Sequence, residues 1–165
     1  MNNTARGVSL ALLFILLLSM QYAVRPLLDW KAEIDFLVIG LLLVSVRVRP
    51  GTAALLGGLT GVIVDALAPL SFGAGALAFT VVAFLASRLK AVFFAENIVL
   101  NAAFLFAGKW AADVAYLLLE RRLQGGALAS QLLVWSPLSA VVTAAVGIAL
   151  LVFLRPLVEP AERRW

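Results

Sequence analysis

The sequence predicts an all-α integral membrane protein, a compact bundle of six transmembrane helices. Two observations carry this. Hydrophobic residues make up 64% of the 165-residue chain and charged residues only 13%, with a mean hydropathy of +1.06. Soluble domains are about 45–50% apolar, so water could not solvate this surface. The apolar runs are also continuous. A β-barrel would alternate apolar and polar residues over about ten-residue segments.

Six apolar runs read as spans, which need about 17–25 residues, the second of them short of that length. The first is 7–24, GVSLALLFILLLSMQYAV, between Arg6 and Arg25-Pro26. Its end, Gln21-Tyr22-Ala23, fits a small-residue cleavage site poorly, so it reads as a span and not a removed leader. The second is 34–48, short, with Asp35 and Arg47 at its ends or snorkelling. The third, 51–67, starts after Pro50, a residue suited to a first helical turn, and Pro69 ends it. The fourth is 72–89, the fifth 97–119 and the sixth 132–154. If the third and fourth form a re-entrant pair, the count is five. The one long connection, Glu120 to Gln131, carries Gly125-Gly126 as a flexible turn. The whole chain, 1–165, is thus one transmembrane domain.

The loop charges orient the bundle. One side carries Arg6, Arg47, Arg49, Arg88, Lys90, Arg155, Arg163 and Arg164; the other carries Arg25, Lys31, Arg121 and Arg122. The positive-inside rule then places both termini in the cytoplasm. The net charge of +4 reads as topology and not as a nucleic-acid surface. Trp30 and Trp135 read as interfacial anchors, and the tail Glu159 to Trp165 as a solvated end.

There is no Cys and no His. Disulfides, thiolate nucleophiles, Cys/His metal sites and imidazole acid–base chemistry are therefore excluded. No Ser–Lys pair with an evident oxyanion hole stands out, and paired carboxylates alone are too few ligands for a hard metal. The expectation is a protein that is not an enzyme and holds no metal or cofactor.

The polar residues within the spans are the informative ones. Ala53, Gly57, Gly61 and Asp65 recur every four residues, a small-residue stripe that ends in a carboxylate. The stripe suits close packing, either within the chain or against a partner helix. Gly73 and Gly75, at the start of the fourth span, offer a second such surface. Asp65 stands about 22 Å along its helix from Pro50, in the outer part of the bilayer. There it lines a crevice, pairs with a cation or caps a neighbouring backbone. Asn101, Lys109 and Asp113 share one face of the fifth span, and Lys109 can pair with Asp113 at i,i+4. Similar depth suggests that Asp65, Lys109 and Asp113 gather into one intramembrane cluster, with Asn101 on the same face.

Arg49-Pro50-Gly51, then Gly57, Gly58 and Gly61, then Asp65 with Pro69, Phe72, Gly73, Ala76 and Leu77 resemble the rod shape-determining MreD family. In length and hydropathy the resemblance covers the chain; its specific residues lie between Arg49 and Leu77. It implies a non-enzymatic scaffold of the bacterial cell-elongation machinery, in the inner membrane. The implied partners are an MreC-type single-pass protein, a RodA-type glycosyltransferase with its class B penicillin-binding protein, and MreB filaments. The family's bundle is similar to the vitamin-binding subunits of energy-coupling-factor transporters. A substrate-binding subunit of a small-molecule transporter is therefore the alternative reading.

Overall fold

The computed structural model describes residues 19, 21, 34–67, 72–89, 97–120 and 125–158, with side chains to residue 153. The described residues are helical, with no strand among them. Apart from helical Ser19 and Gln21, the expected span 7–24 lies outside the described residues, as does the tail 159–165. Helix α1 is Phe36–Ser45, α2 is Pro50–Leu67, α3 is Ala74–Arg88 and α4 is Ile98–Glu120. A last helical run comprises α5 (Gly125–Ser130), a π-helical turn (Gln131–Trp135) and α6 (Ser136–Val158). Two stretches, Ile98–Glu120 and Gly125–Phe153, are long and apolar enough to cross a bilayer; α1, α2 and α3 are shorter apolar helices.

Helix α1 is the centre of the bundle. It is apolar all round and all ten of its residues are buried, as expected of a helix enclosed on every side. It touches α2, α3, α4 and α6. Asp35 starts it as an N-cap, accepting from the Val38 N–H at 3.2 Å. The helix ends three residues short of the expected 48. The Arg47 N–H donates to Val44 O and the Val48 N–H to Ser45 O, which turns the chain. The turn leaves Arg47 and Arg49 exposed before Pro50 opens α2. Ser87 Oγ donates to Val48 O at 2.8 Å, so the end of α3 lies at this same pole with exposed Arg88.

Helices α2 and α3 pack so closely that glycine is required between them. A Cβ on Gly57 would stand 2.7 Å from the Phe79 carbonyl carbon and 2.8 Å from Ala83 Cβ. A Cβ on Gly61 would strike Gly75 O and stand 2.5 Å from Ala76 Cα. Ala53 has no exposed surface. The Ala53/Gly57/Gly61 stripe is thus filled by α3 of the same chain and is not open to a partner helix. Gly61→Ala is expected to destabilise the protein by about 1–3 kcal/mol through overpacking against rigid backbone. Gly51→Ala, with nothing within 4 Å of its Cβ, is the control. Equal unfolding midpoints for the two variants in mild detergent would refute this packing.

The distribution of polarity is the reverse of that in a soluble protein. Leu55, Leu59, Leu77, Val81, Leu133, Val141 and Phe153 are each more than half exposed, while Thr60, Asp65, Ser87, Lys109, Ser136 and Thr143 are buried. Apolar side chains outside and satisfied polar groups inside suit a hydrocarbon surround.

The final run departs from expectation. Residues 125–131, expected as part of a flexible connection, are helical from Gly125, whose φ of +60° marks the turn into the run. Pro137 has no N–H to give the preceding turn and disrupts the regular ladder there. The chain widens into a π turn just before it, and the Ser136 N–H returns to Gln131 O. Leu132 O then has no helical donor, because Ser136 is engaged and Pro137 has none. Trp110 Nε1–H of α4 donates to it at 3.3 Å. Trp135, read from sequence as an interfacial anchor, ends the π turn.

Candidate functional site

Lys109 lies at the middle of the 23-residue α4, with its side chain 7% exposed. A bare ammonium at that depth costs about 2.5–3.5 kcal/mol or more, so it needs partners. It has two. Lys109 Nζ donates to Asp113 Oδ1 at 2.5 Å, one turn further along α4, and to Asp35 Oδ2 at 3.1 Å, at the start of α1.

Each carboxylate is held in turn. Asp113 Oδ2 accepts from Ser136 Oγ of α6 at 2.7 Å. Asp35 Oδ1 accepts from the Val38 N–H, and the Asp35 N–H donates to Thr143 Oγ1 of α6 at 3.2 Å. The Phe36 N–H donates to the Gln21 side-chain carbonyl at 2.8 Å. So three of the amides at the start of α1, those of Asp35, Phe36 and Val38, which no helical bond can use, are taken by side chains. The network ties α1, α4 and α6 together at one level.

The packing beside it is tight. A Cβ on Gly108 would stand 2.6 Å from Leu42 Cδ1, and one on Gly147 would stand 2.8 Å from Leu105 Cδ1. Small residues again let helices approach until side chains from the next helix fill the gap.

Asp65 forms a separate site. It is fully buried at the end of α2. Its Oδ2 accepts from the Gly73 N–H at 2.9 Å and the Ala76 N–H at 3.0 Å, and its Oδ1 from the Gly75 N–H at 2.9 Å. The start of α3 has no cap from its own side chains, since Gly73 occupies the N-cap with φ of +105°. A carboxylate from the neighbouring helix does that work, at the end where the helix dipole favours negative charge.

The expected grouping is therefore corrected. Of the three alternatives for Asp65, it takes the backbone cap, and it does not join Lys109. The second carboxylate on Lys109 is Asp35, which the sequence placed at a span end. Gly73 and Gly75 serve the turn, and Gly75 is packed against α2 of the same chain. Gly73 supplies positive φ, and a Cβ on Gly75 would stand 2.5 Å from Asp65 Oδ1. Asn101 shares the Lys109 face but not the network. Its Oδ1 is buried without a hydrogen-bond partner among the described residues, as is Ser45 Oγ in α1.

Asp35, Ser136, Thr143 and Gln21 were missed from the sequence. A signal existed for Asp35: a carboxylate directly before FLVIGLLLVS has the form of an N-cap. None existed for Ser136 or Thr143, hydroxyls in an apolar run whose facing depends on the π turn.

Chemically, the carboxylates of the Lys109 and Asp65 sites form closed pairings. All four oxygens of Asp35 and Asp113 accept hydrogen bonds. No group of three or more His, Cys, Asp or Glu able to hold a metal occurs among the described residues. Comparison with known proteins returned no matching family model, no similar curated protein and no similar solved structure.

Proposed function

We propose that this chain is a non-enzymatic, multi-pass scaffold of the bacterial inner membrane, serving the cell-elongation machinery. It would bind an MreC-type single-pass protein and support a RodA-type polymerase with its class B penicillin-binding protein. The reading rests on one structural observation: the carboxylates of Asp35, Asp65 and Asp113 all serve to fix helices against one another. A scaffold needs that rigidity and needs no reactive group. The likeness of Arg49 to Leu77 to the MreD pattern supplies the machinery and the partners. Exposed Arg47, Arg49 and Arg88 at one pole support a cytoplasmic assignment for that end, with both termini on the same side.

A second reading, a solute-binding subunit of a vitamin-type transporter, is favoured by the unpartnered buried Asn101 Oδ1 and Ser45 Oγ. Spare polar capacity inside a bundle is what a ligand would use.

Purification of the tagged protein from its own host in gentle detergent, with co-eluting proteins identified, separates the two. Recovery of a single-pass periplasmic protein with a wall polymerase is the expected result. Recovery of ATPase subunits or a bound small solute overturns the scaffold reading.

A further inference from the structure

The Lys109 network holds two carboxylates and one ammonium. With every group ionised its charge is −1. This charge stands at the middle of a helix long enough to cross the bilayer, where an uncompensated ion is strongly disfavoured. The other helices packed on α4 bring no further charge to it among the described side chains. From α6 come the neutral hydroxyls of Ser136 and Thr143. The ionisable residue of α3 is Arg88, whose guanidinium stands over the Phe84 ring at 5.1 Å. Gln21, which meets the start of α1, is neutral.

We propose that the network is a proton-binding site: it takes up one proton, carried on Asp113, and is neutral as a whole. The choice of Asp113 follows from the partners. Asp35 is an N-cap, facing the positive end of the α1 dipole and accepting from a backbone N–H that can only donate. Asp113 sits within α4, away from a helix start, and faces a hydroxyl at 2.7 Å. Ser136 Oγ can accept as readily as donate, so Asp113 can turn donor without losing the bond. Lys109 and Asp113 are i,i+4 neighbours on one helix and so stay within reach of one another with either charge on Asp113. A metal cation is a poorer occupant. The four carboxylate oxygens are already engaged, and a hard cation wants six or more oxygen ligands.

This inference is independent of the partner reading. Its test is infrared spectroscopy of the full chain in neutral-lipid vesicles at neutral pH, read at the carbonyl stretch of protonated carboxylic acids. The wild type is expected to show such a band. Asp113→Glu should shift its position and Asp35→Glu should leave it in place. Charge balance makes a further demand. Asp113→Asn and Asp35→Asn should each abolish the band, because either leaves one carboxylate against one ammonium. Lys109→Met should strengthen it, because both carboxyls must then be neutral. Absence of the band from the wild-type protein overturns the proposal. So does a band that moves with Asp35→Glu alone, or one that survives Asp35→Asn. The asparagine variants keep the shape of the side chain, and Asp113→Asn also keeps both hydrogen bonds because Ser136 Oγ can accept from its amide, so the test does not depend on Lys109→Met folding.

Discussion

Asp65→Ala is expected to be the most damaging single substitution in the chain. It leaves the N–H groups of Gly73, Gly75 and Ala76 without their acceptor. A buried donor left unsatisfied costs about 1–3 kcal/mol, so three together should reach several kcal/mol even if water enters the turn. The glycines that accommodate the carboxylate deepen the loss, because Gly73 and Gly75 then sit in a turn with nothing to hold it. Asp65→Asn should fall between. One amide oxygen can serve Gly73 and Ala76, but the amide NH₂ would then face the Gly75 N–H, donor to donor. Unfolding followed by loss of helical circular dichroism in mild detergent should rank wild type above Asn and Asn above Ala. A wild-type midpoint for Asp65→Ala would show that the cap is unimportant.

Lys109→Met should be nearly as severe, at about 3–5 kcal/mol, because it removes the buried cation shared by the part-buried Asp35 and Asp113 carboxyls. Thermodynamic cycles give the sharper test. Lys109 and Asp35 touch, so their double variant should deviate from additivity by about 0.5–3 kcal/mol. Lys109 and Asp65 lie in separate sites and should be additive within about 0.3–0.5 kcal/mol. Strong coupling between Lys109 and Asp65, with none to Asp35, would restore the grouping expected from sequence. Replacing Lys109, Asp35 and Asp113 together by neutral residues should recover much of the loss, since no charge is then left unpaired.

The two sites differ in how far they can be read from the chain. The Lys109–Asp113 pair is local: four residues on one helix fix it wherever the helix goes. The Asp65 cap is nearly local, since ten residues separate the carboxylate from Gly75, and capping a neighbouring backbone is one of the roles the sequence allows it. Pairing by depth failed for Asp65 because depth along a helix says nothing about azimuth. Two residues at one level can face opposite sides of a bundle. Asp35 was passed over because a span end was equated with the membrane surface. In the fold α1 is a ten-residue helix buried in the bundle centre, so its start lies beside the middle of α4.

By itself the sequence determined that the chain is helical and apolar outside. Continuous hydrophobic runs bounded by proline, glycine and arginine leave the backbone no other way to satisfy its hydrogen bonds. It also determined that Gly57 and Gly61 would meet another backbone closely, because their four-residue spacing gives one helix a side-chain-free stripe. Only the tertiary structure decided which backbone that is. It chose α3 of the same chain, because Asp65 anchors the start of α3 at the end of α2 and holds the two helices side by side. Only the tertiary structure, too, brought Asp35 and Ser136 to the Lys109 pair. They come from 74 residues before Lys109 and 23 residues after Asp113. Such a meeting depends on three helix axes and on the π turn before Pro137, and no local periodicity encodes it.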